Sequence, residues 1–136
     1  MNFNIDEYKE ITNKEDIYKI IHGFIFAHTN EGLKNVLNKF SQKRGQSSEY
    51  VVVSFGSELS PFENPENRVS ENHVLLSADE PAVDEACEAI INFSDFSEFI
   101  EKAIYGMLKS YSERYNESEI RKALDEFKEA LNSTKV

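Results

Sequence analysis

Apolar residues keep a helical rhythm at both ends of this chain and lose it in the middle. Near the start, Ile17, Ile20, Ile21, Phe24 and Ile25 follow one another at spacings of three, one, three and one, which places them on one face of an amphipathic helix. Asn13 stands where the N-cap of that helix belongs. The stretch HTNEG (28–32) breaks the rhythm, and Leu33, Val36, Leu37 and Phe40 then share one face of a second helix, followed by the polar loop SQKRGQSS (41–48). The stretch EYVVVSF (Glu49–Phe55) is rich in β-branched and aromatic residues. Its nearly continuous apolar run predicts a strand covered on both faces and central in its sheet.

Between residues 56 and 72, GSELSPFENPENRVSEN carries Gly56, Pro61 and Pro65 and reads as a loop. HVLLS (His73–Ser77) is a second strand, ADEPAVDEAC (78–87) a loop around Pro81, and EAIINF (Glu88–Phe93) a third short strand. Ser94 or Asp95 then caps the best-patterned helix, with Phe96, Phe99, Ile100, Ala103, Ile104, Met107, Leu108 and Tyr111 on one side. After YNES, a last helix capped by Asn116 or Ser118 turns Ile120, Leu124, Phe127 and Leu131 inward. The order is two helices, three strands, two helices. Consecutive strands with short connections predict an α+β fold: a small antiparallel sheet of about three strands, with two N-terminal and two C-terminal helices. A length of 136 residues fits a single domain spanning 1–136.

Charge changes this picture more than composition does. The net charge is −10 at neutral pH, yet residues 1–56 balance seven acids with seven bases, and residues 102–136 set six acids against seven bases. The whole imbalance lies in residues 57–101, where twelve acids face one base, Arg68. Such a field repels nucleic acid and anionic lipid, and favours either a basic partner or plain solubility. The single cysteine, Cys87, excludes an internal disulfide, and the polar, acidic opening MNFNIDEYKEI has no exported character. The expected location is the cytoplasm. No apolar run approaches the roughly 20 residues that span a bilayer, so no membrane association is expected.

The residues that carry chemistry are few. His22, His28 and His73 form no pair at the helical spacing of a zinc site, and one cysteine cannot complete a ligand set. Cys87 lies between acids at 84, 85 and 88, which disfavour a thiolate. Two acidic pairs, Asp79–Glu80 and Asp84–Glu85, could serve a hydrolytic site, but they lack the alternating ligands and turn glycine of a calcium loop. No glycine run cradles a phosphate. QKRGQ is the only local basic cluster, which argues against nucleic-acid binding. The expectation is therefore no catalytic residue, no metal and no cofactor. The acidic segment itself has two readings, a solvated face or a recognition surface. Its acids fall in loops and at strand ends, with Phe55, Phe62, Phe93 and Phe96 interleaved, and an interface needs aromatic anchors inside a charged rim.

From Tyr50 onward the chain resembles the immunity proteins of contact-dependent growth inhibition and related polymorphic toxin systems, particularly those that neutralise ribonuclease toxins. The resemblance rests on YVVVSFG, on the acidic stretch with FEN leading to HVLLS, on AIINFSDFSEFIEKAI, and on SERYNESEIRKALDEFKEAL. It implies a non-enzymatic inhibitor that binds the C-terminal domain of a cognate toxin, expected to be a nuclease, and fills its basic substrate groove; exposed strand edges leave the expected state a monomer or a weak homodimer. No family motif fixes the contact residues. Charge and loop position nominate Glu58, Glu63, Glu66, Asp79, Glu80, Asp84 and Glu85 as toxin-binding. The alternatives are a small carboxylate-dependent enzyme and a generic acidic interaction domain.

Overall fold

A computed structural model of the chain describes residues 8–132; the first seven residues, which open the stretch read above as non-exported, lie outside the described residues. The elements run β1 (Lys9–Glu10), α1 (Lys14–Phe26), α2 (Asn30–Ser41), β2 (Gln46–Ser47), β3 (Val51–Phe55), β4 (His73–Ala78), β5 (Cys87–Asn92), α3 (Phe93–Ser110) and α4 (Glu117–Asn132). The α+β class and all four helices follow the apolar periodicity. Each helix also has a chemical start. Asn13 Oδ1 accepts from the Asp16 amide at 3.0 Å, Thr29 Oγ1 from Gly32 at 3.1 Å, and Asn116 Oδ1 from Glu119 at 3.1 Å. The long helix starts earlier than the sequence predicts. Its cap is Asn92, which accepts from the Asp95 amide at 2.7 Å, so Phe93 is its first helical residue rather than the end of a strand.

The sheet differs from the expected three antiparallel strands. It has five, in the order β1-β5-β4-β3-β2, and it is mixed, because β1 pairs with β5 in parallel. The two additional strands are the two-residue edges. Two residues carry no periodicity, and Lys9–Glu10 and Gln46–Ser47 are polar, so only their long-range partners define them. The central strand is β4, and β3 is not covered on both faces. Val51, Val53 and Phe55 are buried while Val52 is 42% exposed. The register explains the alternation: Val53 pairs with Leu76 and Leu76 with Ala89, so one face of the sheet collects Val51, Val53, Phe55, Val74, Leu76, Ala78, Cys87, Ala89 and Ile91. The helices pack on that face, α1 against α3 and α2 against α4. The opposite face carries Val52, Ser54, Leu75, Ser77, Glu88 and Ile90 and is left partly open.

One cluster joins the covered sheet face to all four helices. Its centre is Phe40 of α2, fully buried, whose ring meets Phe24 of α1 at 6.1 Å, Phe55 of β3 at 5.8 Å, Phe96 of α3 at 5.3 Å and Phe127 of α4 at 6.0 Å. Offset and edge-to-face ring pairs at these separations add to the gain from area burial. Phe40→Ala should cost about 3–5 kcal/mol, the usual range for deleting a buried ring, and Phe40→Leu clearly less. Urea unfolding of the two variants checks this, and near-equal losses would mean that refilling the space with an aliphatic side chain recovers nothing, so that the ring itself and not buried apolar volume sets the loss.

Candidate functional site

The seven nominated acids are all exposed, but they do not form one surface. Glu58, Glu63 and Glu66 lie in the loop joining β3 to β4, and Asp79, Glu80, Asp84 and Glu85 in the loop joining β4 to β5. Successive antiparallel connections alternate ends, so the two groups occupy opposite ends of the sheet. The six residues of β4 hold them about 17 Å apart at the rise of an extended strand.

The β3–β4 loop is built from its own polar side chains. Glu58 Oε1 accepts from the Gly45 amide at 2.7 Å and the Phe55 amide at 3.2 Å, tying the loop to the segment that enters β2. Ser60 and Glu63 cap each other: the Ser60 amide donates to Glu63 Oε1 at 2.9 Å and the Glu63 amide to Ser60 Oγ at 3.2 Å. The Ser60 amide bond holds the Glu63 carboxyl below its usual pKa, with the Ser60 hydroxyl adding to it. Asn64, 7% exposed, works as a backbone surrogate. Its Oδ1 accepts from the Val69 amide at 2.8 Å and its Nδ2 donates to the Val69 carbonyl at 2.7 Å. Glu66 and Asn67 take left-handed φ values of 58° and 56°, which turn the chain here without a glycine. Arg68 then reaches over the open sheet face to Glu88 through two bonds of 2.9 and 3.3 Å.

This geometry sorts the aromatics that the sequence interleaves with the acids. Phe55, Phe93 and Phe96 belong to the core. Phe62 is 95% exposed at the loop surface, within the turn that the Ser60–Glu63 cap closes and just before the Asn64 bridge. The other exposed large apolar residues, Tyr50, Val52, Tyr105 and Tyr111, are each more than half covered. Adjacency in sequence to an acidic run gives no hint of this difference. The available signal was the flanking Pro61, with Pro65 four residues on, because two prolines so close together disfavour a regular helix or strand around Phe62.

At the other end, the Asp79 amide donates to the Tyr50 carbonyl at 2.9 Å and the Ala82 amide to the Asp79 carbonyl at 3.0 Å. The β4–β5 loop faces the start of α1 across a groove of about 500 Å³ lined by Ile11, Ile20, Val83 and Cys87 and edged by Asp16, Lys19, Asp84 and Glu85. Glu85 lies 4.0 Å from Lys9, both well exposed, an ion pair of little energetic weight. Charge at this end is mixed. Burial pushes the Cys87 thiol above its usual pKa, and Asp16 acts in the same direction. The three histidines make local contacts. His22 stacks on Phe26 at 4.1 Å, His28 Nδ1 bonds the Phe24 carbonyl at 2.8 Å, and His73 Nδ1 bonds Ser70 Oγ at 2.6 Å. Among the described residues no group of three or more His, Cys, Asp or Glu side chains is placed to hold a metal ion, and no helix is long and apolar enough to cross a membrane.

Residues 14–131 match the family model described as CDI immunity protein, which takes in every element from α1 onward except the end of α4. The chain belongs to the CDI immunity protein family, proteins that neutralise a cognate toxin. No curated protein and no solved structure matches it.

Two of the nominated acids have a structural duty that the others lack. Glu58→Ala should lower stability by roughly 1–2 kcal/mol, because two backbone amides lose a charged acceptor, whereas Glu80→Ala should stay within about 0.5 kcal/mol. Thermal unfolding of the pair checks this. Equal melting temperatures would mean that the Glu58 bonds are not formed in solution.

Proposed function

We propose that this immunity protein neutralises a nuclease toxin by placing acidic loops in the basic groove through which the toxin binds its substrate. The observation that carries this reading is the unpaired charge at the ends of the sheet. Glu58, Glu63, Glu66, Asp79, Glu80 and Asp84 are exposed and form no ion pair among the described residues, and the one base of their segment, Arg68, is committed to Glu88. A nuclease groove is shaped for phosphates. Carboxylates held out from a rigid sheet meet the same cations and exclude the substrate by occupying its place. The apolar core has no part in this, so fold and charge can vary independently. Under this reading the chain performs no chemistry on the toxin; its carboxylates serve as ligands for the toxin's Lys and Arg.

The test uses the purified C-terminal domain of the cognate toxin with a ribonucleic acid substrate. One equivalent of this protein should abolish cleavage, and affinity should fall as salt rises from about 0.05 to 0.5 M. Reversing Asp79, Glu80, Asp84 and Glu85 to Lys should leave the fold intact and slow association about tenfold at low salt, a difference that high salt removes. A toxin domain that is neutralised but has no nuclease activity would overturn the nuclease reading. Association rates unchanged by the four reversals would overturn the role of the acidic field.

A further inference from the structure

We infer that the end of the sheet that docks on the toxin is the β3–β4 loop, with Phe62 as its anchor, and that the toxin surface it fits is an apolar pocket rimmed by Lys and Arg. This rests on the family's toxin partner and names the surface that meets it; it does not require the toxin to be a nuclease.

Three observations converge on Phe62. It is the only large apolar side chain among the described residues left almost wholly in water, at 95% exposure, when every other one is more than half covered. The loop that carries it is not loose: the reciprocal Ser60–Glu63 cap spans it, the two Asn64–Val69 bonds follow it, and the Arg68–Glu88 pair fixes the far side to the sheet. A ring held out on a preformed loop loses little freedom on binding, which is the property of an energetic anchor. Finally, Glu63, Glu66 and Glu71 lie on the same loop as the ring, all exposed and without an ion pair among the described residues.

The rim selects the occupant. A second copy of this chain would bring the same carboxylates against these, and like charges across an interface are strongly unfavourable. An anionic lipid surface is repelled for the same reason. A basic protein surface with a central apolar pocket satisfies both the ring and the acids. The β4–β5 end lacks this combination, because its acids stand beside Lys9 and Lys19 and its apolar residues line a groove rather than project from it.

The experiment measures binding of the full chain to the toxin C-terminal domain by calorimetry and surface plasmon resonance, separately from any activity assay. Phe62→Ala, on an exposed ring, should leave the melting temperature unchanged and weaken binding by about 30-fold or more, mostly through faster dissociation. The double change Glu66→Lys and Glu71→Lys should slow association in a salt-dependent way. The four lysine reversals at the β4–β5 end should weaken binding less than Phe62→Ala does. If Phe62→Ala binds within about threefold of the parent, or if the β4–β5 reversals weaken binding more, the docking end is misassigned, even where the parent protein still neutralises its toxin. If sedimentation shows a dimer that Phe62→Ala converts to monomer without loss of toxin affinity, the ring serves self-association and the proposal falls. If the parent binds and neutralises a toxin that is not a nuclease, the reading of the preceding subsection fails while the Phe62 comparison still decides this one.

Discussion

The ring of Phe40 is the contact on which the architecture depends. It is one side chain on α2, yet it touches rings from α1, β3, α3 and α4, so the three other helices and the sheet meet around it. Aromatic rings are rigid and close-packed interiors tolerate little change in volume. Fixing one ring therefore fixes the spacing of four elements at once. Because the helices converge on this side of the sheet, the other side and both loop ends remain outside the core, free of the demands that packing makes.

That division explains how so acidic a segment coexists with a stable fold. Residues 57–101 hold twelve acids, but those in the two loops are exposed, where solvent screens their mutual repulsion. In the β3–β4 loop the acids that do structural work accept hydrogen bonds and pair with no cation: Glu58 bonds two backbone amides and Glu63 the Ser60 amide. Glu88, in β5, pairs with a cation instead. It points to the open sheet face, where Arg68 neutralises it and anchors the loop that carries Phe62. A single base in the segment thus has a positional duty, and stability is separated from the surface left for a partner. Membership of the CDI immunity family implies a cognate toxin as partner, and a fold stabilised away from its exposed loops can meet a partner without losing its own packing.

The helices, their inward faces and two of the four caps, Asn13 and Asn116, were legible in the sequence, since a period of 3.6 and a side-chain cap are properties of a few adjacent residues. The alternating burial of β3 was not. VVV looks covered on both sides when read alone, and only the placement of all four helices on one face exposes Val52. The edge strands β1 and β2 were invisible for a related reason: two polar residues become strands only when β5 and β3 supply partners distant in sequence.

The candidate surface divides in the same way. Sequence alone determined that this is an acidic α+β protein whose charge sits in loops between strands, because composition and periodicity are local quantities that folding does not alter. Tertiary structure decided that the seven nominated acids fall at two ends of the sheet. It decided that Glu58 and Glu63 hold the loop together, and that of Phe55, Phe62, Phe93 and Phe96 only Phe62 faces water. Those outcomes follow from the path of the chain through space, which brings residues distant in sequence together and separates near ones, and no window along the sequence contains that information.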